Sequence, residues 1–328
     1  MNLRRVLLAL ASVALSLALI ALLVRAGKID VRLTLHQLEE VNRLAFIKLI
    51  LLNGLLVYLS TEKWRSIDAV LRHASDPIPS RTASFAVTSA GMTLGLVLPV
   101  QLGMTAARTF GTSVYGRALT RGTAGTLFEQ SFDLLIVLLL TVASGATWLW
   151  RGGGLMWTFS AVGMTALALF AVGPLLRLAQ WLASYHTRAV VRQKLMGAVL
   201  RGFFNLQNSG LLSATLSRRL VVLSAIRFAV VVLMAGQTAE AIRSPIPLWH
   251  LAAAIPFVVL ACVIAITPGG LGVNELTYAS ALKVFGTPFS IGAEWALANR
   301  VLGEAACVLV TALAITLQTF KRLAAAGK

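Results

Sequence analysis

Long apolar runs separated by short charged stretches make up most of this 328-residue chain. An α-helix rises 1.5 Å per residue, so about 20 apolar residues cross the roughly 30 Å hydrocarbon core of a bilayer. Runs near this length predict six full spans, at residues 6–24, 44–60, 129–150, 155–173, 220–239 and 293–317. This pattern is typical of an all-α polytopic membrane protein. We interpret the first run as an uncleaved span, because no small-residue cleavage site follows it before Arg25.

A further apolar segment is broken at residues 267–275, which read Thr-Pro-Gly-Gly-Leu-Gly-Val-Asn-Glu. Pro268 removes a backbone donor, and Gly269, Gly270 and Gly272 permit backbone angles that other residues avoid. In hydrocarbon the freed backbone groups need partners, so such a break occurs where it is buried in protein or lines a wet cavity. The segment is interpreted as a re-entrant helical hairpin. A Pro-Gly turn outside the membrane is the alternative.

Residues 99–105 repeat this pattern in the first half of the chain. Aligned on Pro99 and Pro268, both breaks read Pro-x-x-Leu-Gly and continue with an apolar and then a small polar residue, so that Gly103 corresponds to Gly272. Paired interrupted segments at corresponding positions of two halves point to the central site of a transporter. The sequence therefore predicts an inverted repeat within one integral-membrane domain, 1–328. Its parts are half one at about 1–173, a cytoplasmic basic segment at 174–219 and half two at 220–320.

The distribution of basic residues favours the hairpin interpretation. If both broken segments crossed the membrane completely, 11 basic residues would face the cytoplasm and 15 the outside. If each segment enters and leaves on one side, 19 lie inside and 7 outside. Cytoplasmic loops carry the excess of Lys and Arg. We therefore predict six full spans and two re-entrant hairpins, one from each face, with both termini cytoplasmic.

The composition excludes several classes of function. Hydrophobic residues make up 58% of the chain and charged residues 12%, with a mean hydropathy of +0.82, far from soluble domains. The net charge of +17 is dispersed between apolar runs, so we expect attraction to anionic lipid head groups and no nucleic acid partner. The basic segment 174–219 has no acidic residue, which predicts helices lying on the head-group layer.

The sequence offers little support for metal, cofactor or enzyme chemistry. The four histidines are scattered, and no phosphate-binding, dinucleotide or hydrolase motif is present, so no cofactor or metal is expected. Cys262 and Cys307 fall in apolar segments, where packing is their expected role. An enzyme is therefore the less favoured class.

Ionisable residues within spans are costly unless paired or hydrated, so each is a functional-site hypothesis. The candidate substrate-binding residues are Arg108, Glu129, Asp133, Asn274, Glu275, Arg300 and Glu304. Asn274 and Glu275 lead this set, because polar groups beside a glycine-rich break can line a cavity. Structural alternatives stay open. The last two members are four residues apart and can simply pair with each other. Glu129 starts its predicted span, so it can lie at the membrane interface. Arg227 can lie there too, since one or two helical turns could carry it to the interface.

The break at 267–275 resembles the flippase-like transmembrane family of lysylphosphatidylglycerol synthase. The stretches Pro99 to Arg108 and Glu129 to Asp133, and the span carrying Arg300, extend this resemblance over nearly the whole chain. It implies a stand-alone membrane domain of a bacterial cytoplasmic (inner) membrane, without the soluble synthase domain, that handles a phospholipid or a polyprenyl-linked lipid. Three positions depart from the usual family residues. Where an acidic residue, an arginine and a second arginine are usual, this chain has Met104, Gln130 and Asn274.

These features predict a flippase or transporter of a lipid or lipid-linked anionic head group. Backbone amides at the hairpin tips would hold a phosphate oxygen, as helix N-termini do. One alternative is a membrane-embedded transferase acting on a lipid phosphate, with Glu275 or Asp133 as base. The other is a non-catalytic subunit of an envelope-lipid complex, held by an envelope-biosynthesis partner protein.

Overall fold

The computed structural model describes residues 3–27, 40–71, 78–98, 100–113, 119–186, 213–264 and 267–326. This part of the chain forms ten α-helices and a short 3₁₀ turn at Pro268–Gly270, and the predicted all-α class is confirmed. The helices are α1 Leu3–Gly27, α2 Arg43–Leu71, α3 Arg81–Leu94, α4 Val100–Ser113, α5 Leu119–Leu149, α6 Gly154–His186, α7 Ala214–Ala241, α8 Leu248–Ile264, α9 Val273–Val284 and α10 Phe289–Ala326. Most of the predicted interfacial segment, residues 187–212, lies outside the described residues.

Several of these helices are long and apolar enough to cross a membrane. In the part of the chain described, the five that qualify are Arg43–Leu71, Gly122–Leu149, Gly154–Pro174, Ala214–Ala241 and Phe289–Lys321. They coincide with five of the six predicted full spans, which confirms a multi-pass membrane protein. The remaining predicted span, residues 6–24, falls within α1, whose described apolar part is the shorter stretch Ala14–Gly27.

Helix α2 extends well beyond its predicted end at residue 60. Ser60, Lys63, Trp64 and Ile67 are all buried, and they have the i, i+3, i+4, i+7 spacing of one helix face. This face packs into the bundle, so the helix continues to Leu71 instead of giving way to the predicted polar loop.

Helices α5 and α6 also differ from the predicted boundaries. α5 begins at Leu119, which places Glu129 in its third turn, where its side chain is buried. The predicted start of this span at Glu129 is therefore wrong. α6 continues through Pro174 to His186, although the stretch apolar enough to span ends at Pro174, as predicted.

The first broken segment folds into two short antiparallel helices, α3 and α4. Three close contacts run along the pair: Gly95 with Gly103, Gly91 with Met104, and Val87 with Gly111. In these contacts the residue numbers decrease along the first helix as they increase along the second, so α3 and α4 are antiparallel. Each helix has 14 residues, or about 21 Å, which is too short to cross the hydrocarbon core alone. Pro99 lies outside the described residues.

The second broken segment folds in the same way, with α8 and α9 antiparallel. At the outer ends, His250 Nδ1 and Thr287 Oγ1 share a hydrogen bond of 2.7 Å. Near the turn, the Cys262 thiol donates to Asn274 Oδ1 at 2.5 Å. The two helices have 17 and 12 residues, so α9 is too short to cross the hydrocarbon core alone and α8 is near the lower limit for a span.

The turn between α8 and α9 depends on glycine. Pro268 opens the 3₁₀ turn, and positive φ angles follow at Gly269 (55°), Gly270 (71°) and Gly272 (80°). Glycine adopts these angles without the steric penalty of other residues. The residues that the sequence singled out at this break therefore have the geometry of a sharp chain reversal.

The two breaks are in direct contact. A methyl group on Gly269 would lie only 2.2 Å from the carbonyl oxygen of Leu96, in the turn between α3 and α4. Each predicted half also packs against the broken segment of the other half: α5 packs on α8, and α10 packs on α3. The Thr311 hydroxyl of α10, for example, donates to the Ser89 carbonyl of α3 at 3.0 Å. The chain interruptions thus lie together inside the bundle.

Candidate functional site

A cavity of about 310 Å³ lies between α2, α4, α5, α7, α8, α9 and α10. Both broken segments contribute to its wall, through Met104 and Asn274. Its polar lining consists of Ser60, Glu129, Gln130, Asp133, Ser224, Arg227, Asn274, Tyr278 and Asn299. The helices around it are otherwise mostly apolar, so a charged and amide-lined space of this kind can solvate a polar group within the bundle.

Asp133 is held between two cations from different helices. Lys63 Nζ of α2 donates to its Oδ1 at 2.5 Å, and Arg227 Nη1 of α7 donates to its Oδ2 at 3.1 Å. Arg227 Nε also donates to Ser60 Oγ at 3.2 Å. Both carboxylate oxygens are therefore paired, and α5 is tied to α2 and α7 at this level.

Glu129, one turn earlier on α5, pairs with Arg108 of α4. Arg108 Nη2 also donates to the Ser60 carbonyl at 3.0 Å, and its guanidinium lies 5.3 Å from the centre of the Trp64 ring, a cation–π distance. Lys63 Nζ is 3.9 Å from Glu129 Oε1 and joins the two ion pairs. Three cations and two carboxylates form this network, which leaves one excess positive charge beside the cavity.

The members of the network differ in their access to the cavity. The side chains of Lys63 and Arg108 are fully buried, whereas that of Arg227 is 30% exposed and that of Asp133 21% exposed. Arg227 and Asp133 therefore face the cavity, and Lys63 and Arg108 hold the network from behind. Arg227 is the network cation most available to a ligand.

A second charged cluster braces the second break. Glu275 Oε2 accepts a hydrogen bond from Gly272 N at 2.7 Å, which caps the start of α9. Arg300 Nη1 of α10 donates to the Gly269 carbonyl at 2.7 Å and lies 3.8 Å from Glu275 Oε1. Arg300 also pairs with Glu304, one turn along. The predicted pairing of Arg300 with Glu304 exists, and the same arginine holds the glycine turn in place.

The structure divides the predicted site residues into three groups. Glu129, Asp133 and Asn274 line the cavity. Arg108 supports the cavity from behind through its ion pair. The second cluster gathers the remaining three, Glu275, Arg300 and Glu304, around the turn and not in the lining of the cavity.

The three positions at which the sequence departs from the usual family residues converge on one place. Met104 of α4, Gln130 of α5 and Asn274 of α9 all line the cavity. Uncharged side chains therefore stand at three wall positions, and Arg227 and the two carboxylates of α5 carry the charge there.

Two residues of the network were not in the predicted set. Lys63 falls in the polar stretch predicted after residue 60, and Arg227 falls in the span 220–239 with an interfacial position as the open alternative. A signal for Lys63 was present, because it shares a helix face with Ser60 and Ile67. Arg227 lies between apolar neighbours in α7, and the periodicity gave no indication that its partner would be Asp133.

Long helices surround a cavity that is lined by charged and polar side chains. This arrangement defines the class of protein, which is a multi-pass α-helical membrane protein with a charged interior. Among the residues that the structure describes, no group of three or more His, Cys, Asp or Glu side chains is placed to hold a metal ion.

The chain belongs to the family described as lysylphosphatidylglycerol synthase TM region, whose sequence pattern matches residues 9–313. This confirms the family that the broken segments resemble. No curated protein and no solved structure matches the chain.

Proposed function

We propose that this protein moves a lipid with a phosphate-containing head group across the membrane, and that the head group passes through the polar cavity. The observation that carries the proposal is the cavity itself, because both broken segments and a charged network meet there within apolar helices. A charged head group in hydrocarbon costs several kcal/mol unless polar partners replace its water. The cavity offers a cation, hydroxyls and carboxamides for this purpose.

Arg227 is the proposed ligand for the phosphate. It is partly exposed to the cavity, while its partner Asp133 has a second cation in Lys63. If Arg227 turns towards a phosphate, Asp133 therefore remains paired. The excess positive charge of the network also favours an anionic head group over a cation. Asn274 and Asn299, on the opposite helices, add amide donors.

The packing of each predicted half against the broken segment of the other half supports an inverted repeat with two re-entrant pairs. α5 packs on α8 and α10 on α3, and the arms α3, α4 and α9 are each too short to span the membrane alone. Such repeats permit alternating access around a fixed central site. The excess of basic residues supports cytoplasmic positions for both termini, and the bias persists when the buried Lys63 and Arg108 are removed from the loop count.

Reconstitution into vesicles tests the proposal against the two alternatives. The purified protein is placed in phosphatidylcholine vesicles that contain phosphatidylglycerol with a fluorescent acyl chain, and the outer-leaflet dye is quenched. The expected result is movement of labelled lipid between leaflets without a change in its mass. A new lipid species would instead support a transferase. Neither movement nor product would support a non-catalytic subunit.

Substitution of Arg227 ties the movement to the cavity. Arg227→Gln removes a charged hydrogen bond of about 1.5–3 kcal/mol, so the rate should fall about tenfold or more. The matched control is Lys48→Gln, because Lys48 and Glu240 form an ion pair at 3.2 Å that is about half exposed. Equal rates for the two variants would contradict passage through the cavity.

A further inference from the structure

A second, apolar cavity of about 520 Å³ lies between α5, α6 and α7. Its wall consists of Ile136, Leu140, Trp157, Ala161, Val162, Thr165, Ala166, Leu169, Ala225, Phe228, Ala229, Val232 and Leu233. We refer to this space as the apolar groove, and to the cavity with Asp133 and Arg227 as the polar cavity.

Two side chains in the wall of the apolar groove carry a hydrogen-bond donor, and both donors are used within the protein. The Thr165 hydroxyl donates to the Ala161 carbonyl at 2.8 Å. The Trp157 indole donates to Ser144 Oγ at 3.0 Å. The groove therefore suits a hydrocarbon chain, which needs surface contact and no hydrogen bonds.

The apolar groove and the polar cavity share two wall residues, Ile136 of α5 and Phe228 of α7. Along α7 the assignments change within three consecutive residues. Arg227 lines the polar cavity, Phe228 lines both spaces, and Ala229 lines the groove. A hydrophilic and a lipophilic compartment therefore meet across two side chains.

Because the two spaces are adjacent, we infer that the groove holds an acyl chain of the same phospholipid whose head group occupies the polar cavity. The inference rests on the proposed function. The inferred lipid would pass between α5 and α7 to reach the bilayer. Ile136 and Phe228 would lie where the head group of the lipid joins its acyl chain. Alanines at positions 166 and 229 leave the width that the chain needs.

Photo-crosslinking tests the inference. The probe is phosphatidylglycerol with a diazirine in one acyl chain, in phosphatidylcholine vesicles, and the labelled peptides are located by mass spectrometry. The expected result is stronger labelling of α6 and α7 around the groove than of the exposed face of α10 around Leu313. Equal labelling of the two surfaces would overturn the inference, as would a polyprenyl phosphate probe that labels the groove in place of the acyl probe.

Two substitutions narrow the groove from opposite walls. Ala229→Trp on α7 and the milder Ala166→Leu on α6 should each abolish groove labelling and slow lipid movement. Ala312→Trp is the control, because Ala312 is exposed on α10 away from the groove. All three are compared as monodisperse preparations by size exclusion. Groove labelling that survives both narrowing variants would overturn the inference.

The link between the two spaces has a test of its own. Arg227→Gln alters the polar cavity and should reduce labelling of the groove by the phosphatidylglycerol probe, with labelling of α10 unchanged. A surface that takes any bulk lipid would not respond to this substitution. If the wild-type protein moves lipid and the narrowing variants move it equally fast, the groove assignment fails while the proposed function stands. If the wild-type protein moves no lipid, the proposed function itself fails.

Discussion

Every charged side chain in the network beside the polar cavity has an oppositely charged partner. Lys63 and Arg227 both form ion pairs with Asp133, and Arg108 forms an ion pair with Glu129. Buried charges are costly to desolvate, and the cost is tolerated when geometry and additional hydrogen bonds are good. Removal of one partner leaves the other charge buried without compensation. The network therefore links the stability of the bundle to the residues that face the cavity.

We predict that Lys63→Met destabilises the protein strongly. The change leaves Asp133 with Arg227 alone and removes the link to Glu129, and breaking a buried pair costs about 3–5 kcal/mol. Lys48→Met, at the half-exposed pair with Glu240, should cost at most about 1 kcal/mol. Thermal unfolding in detergent, followed by loss of the monodisperse size-exclusion peak, measures both. A similar midpoint for the two variants would contradict the structural role of Lys63.

Residue chemistry alone predicts part of the lining of the polar cavity. Glu129, Asp133 and Asn274 were recognised because polar groups inside apolar runs or beside a glycine break need a reason to be there. Lys63 was not recognised, because the charged stretch after residue 60 reads as a loop unless its helix periodicity is followed further. The partnership of Arg227 with Asp133 connects residues 94 positions apart, and such a distance in sequence has no local signal.

At the scale of elements, the two broken segments act as one unit at the centre of the bundle. The Gly269 turn packs on the carbonyl of Leu96, and Arg300 of α10 donates to the Gly269 carbonyl. The sequence predicted both breaks from proline and glycine, and their alignment suggested a common role. It could not predict that the turns touch, because contact depends on how α5 and α10 pack around them.

Gly269→Ala should therefore disrupt the contact between the breaks. The left-handed φ of 55° and overlap with the Leu96 carbonyl together imply a cost of about 2–4 kcal/mol. Gly303→Ala, in α10, is the matched control, because a methyl group there meets no atom within 4 Å and favours the helix. The midpoint of thermal unfolding is measured for both variants, and it should be lower for Gly269→Ala. A Gly269→Ala protein as stable as the Gly303→Ala protein would show that the turns need not touch.

At the scale of the whole molecule, the arrangement of the antiparallel pairs determines which loops lie at the same end of the bundle. The His250–Thr287 hydrogen bond brings the start of α8 to the end of α9. The loops before and after this pair therefore lie at the same end of the molecule. The count of basic residues predicts that both loops face the outside, since complete crossing by the broken segments would reverse the charge bias.

Cysteine labelling tests this arrangement in the membrane. In a chain with Cys262 and Cys307 replaced by serine, Arg243→Cys and Lys283→Cys should react with an impermeant maleimide from the same, external side. Both positions are exposed; Arg243 precedes α8, and Lys283 lies in the last turn of α9. Arg81→Cys and Arg219→Cys, also exposed, should react from the cytoplasmic side. Labelling of positions 243 and 283 from opposite sides would contradict the re-entrant pair.

Native mass spectrometry of the purified protein most directly tests whether the polar cavity binds a lipid head group. We predict that the wild-type and Lys48→Gln proteins keep a bound phospholipid at activation energies that remove loosely attached detergent and lipid. Arg227→Gln, which loses the cation facing the cavity, should lose that phospholipid under the same conditions. Equal retention by Arg227→Gln and Lys48→Gln would contradict the account.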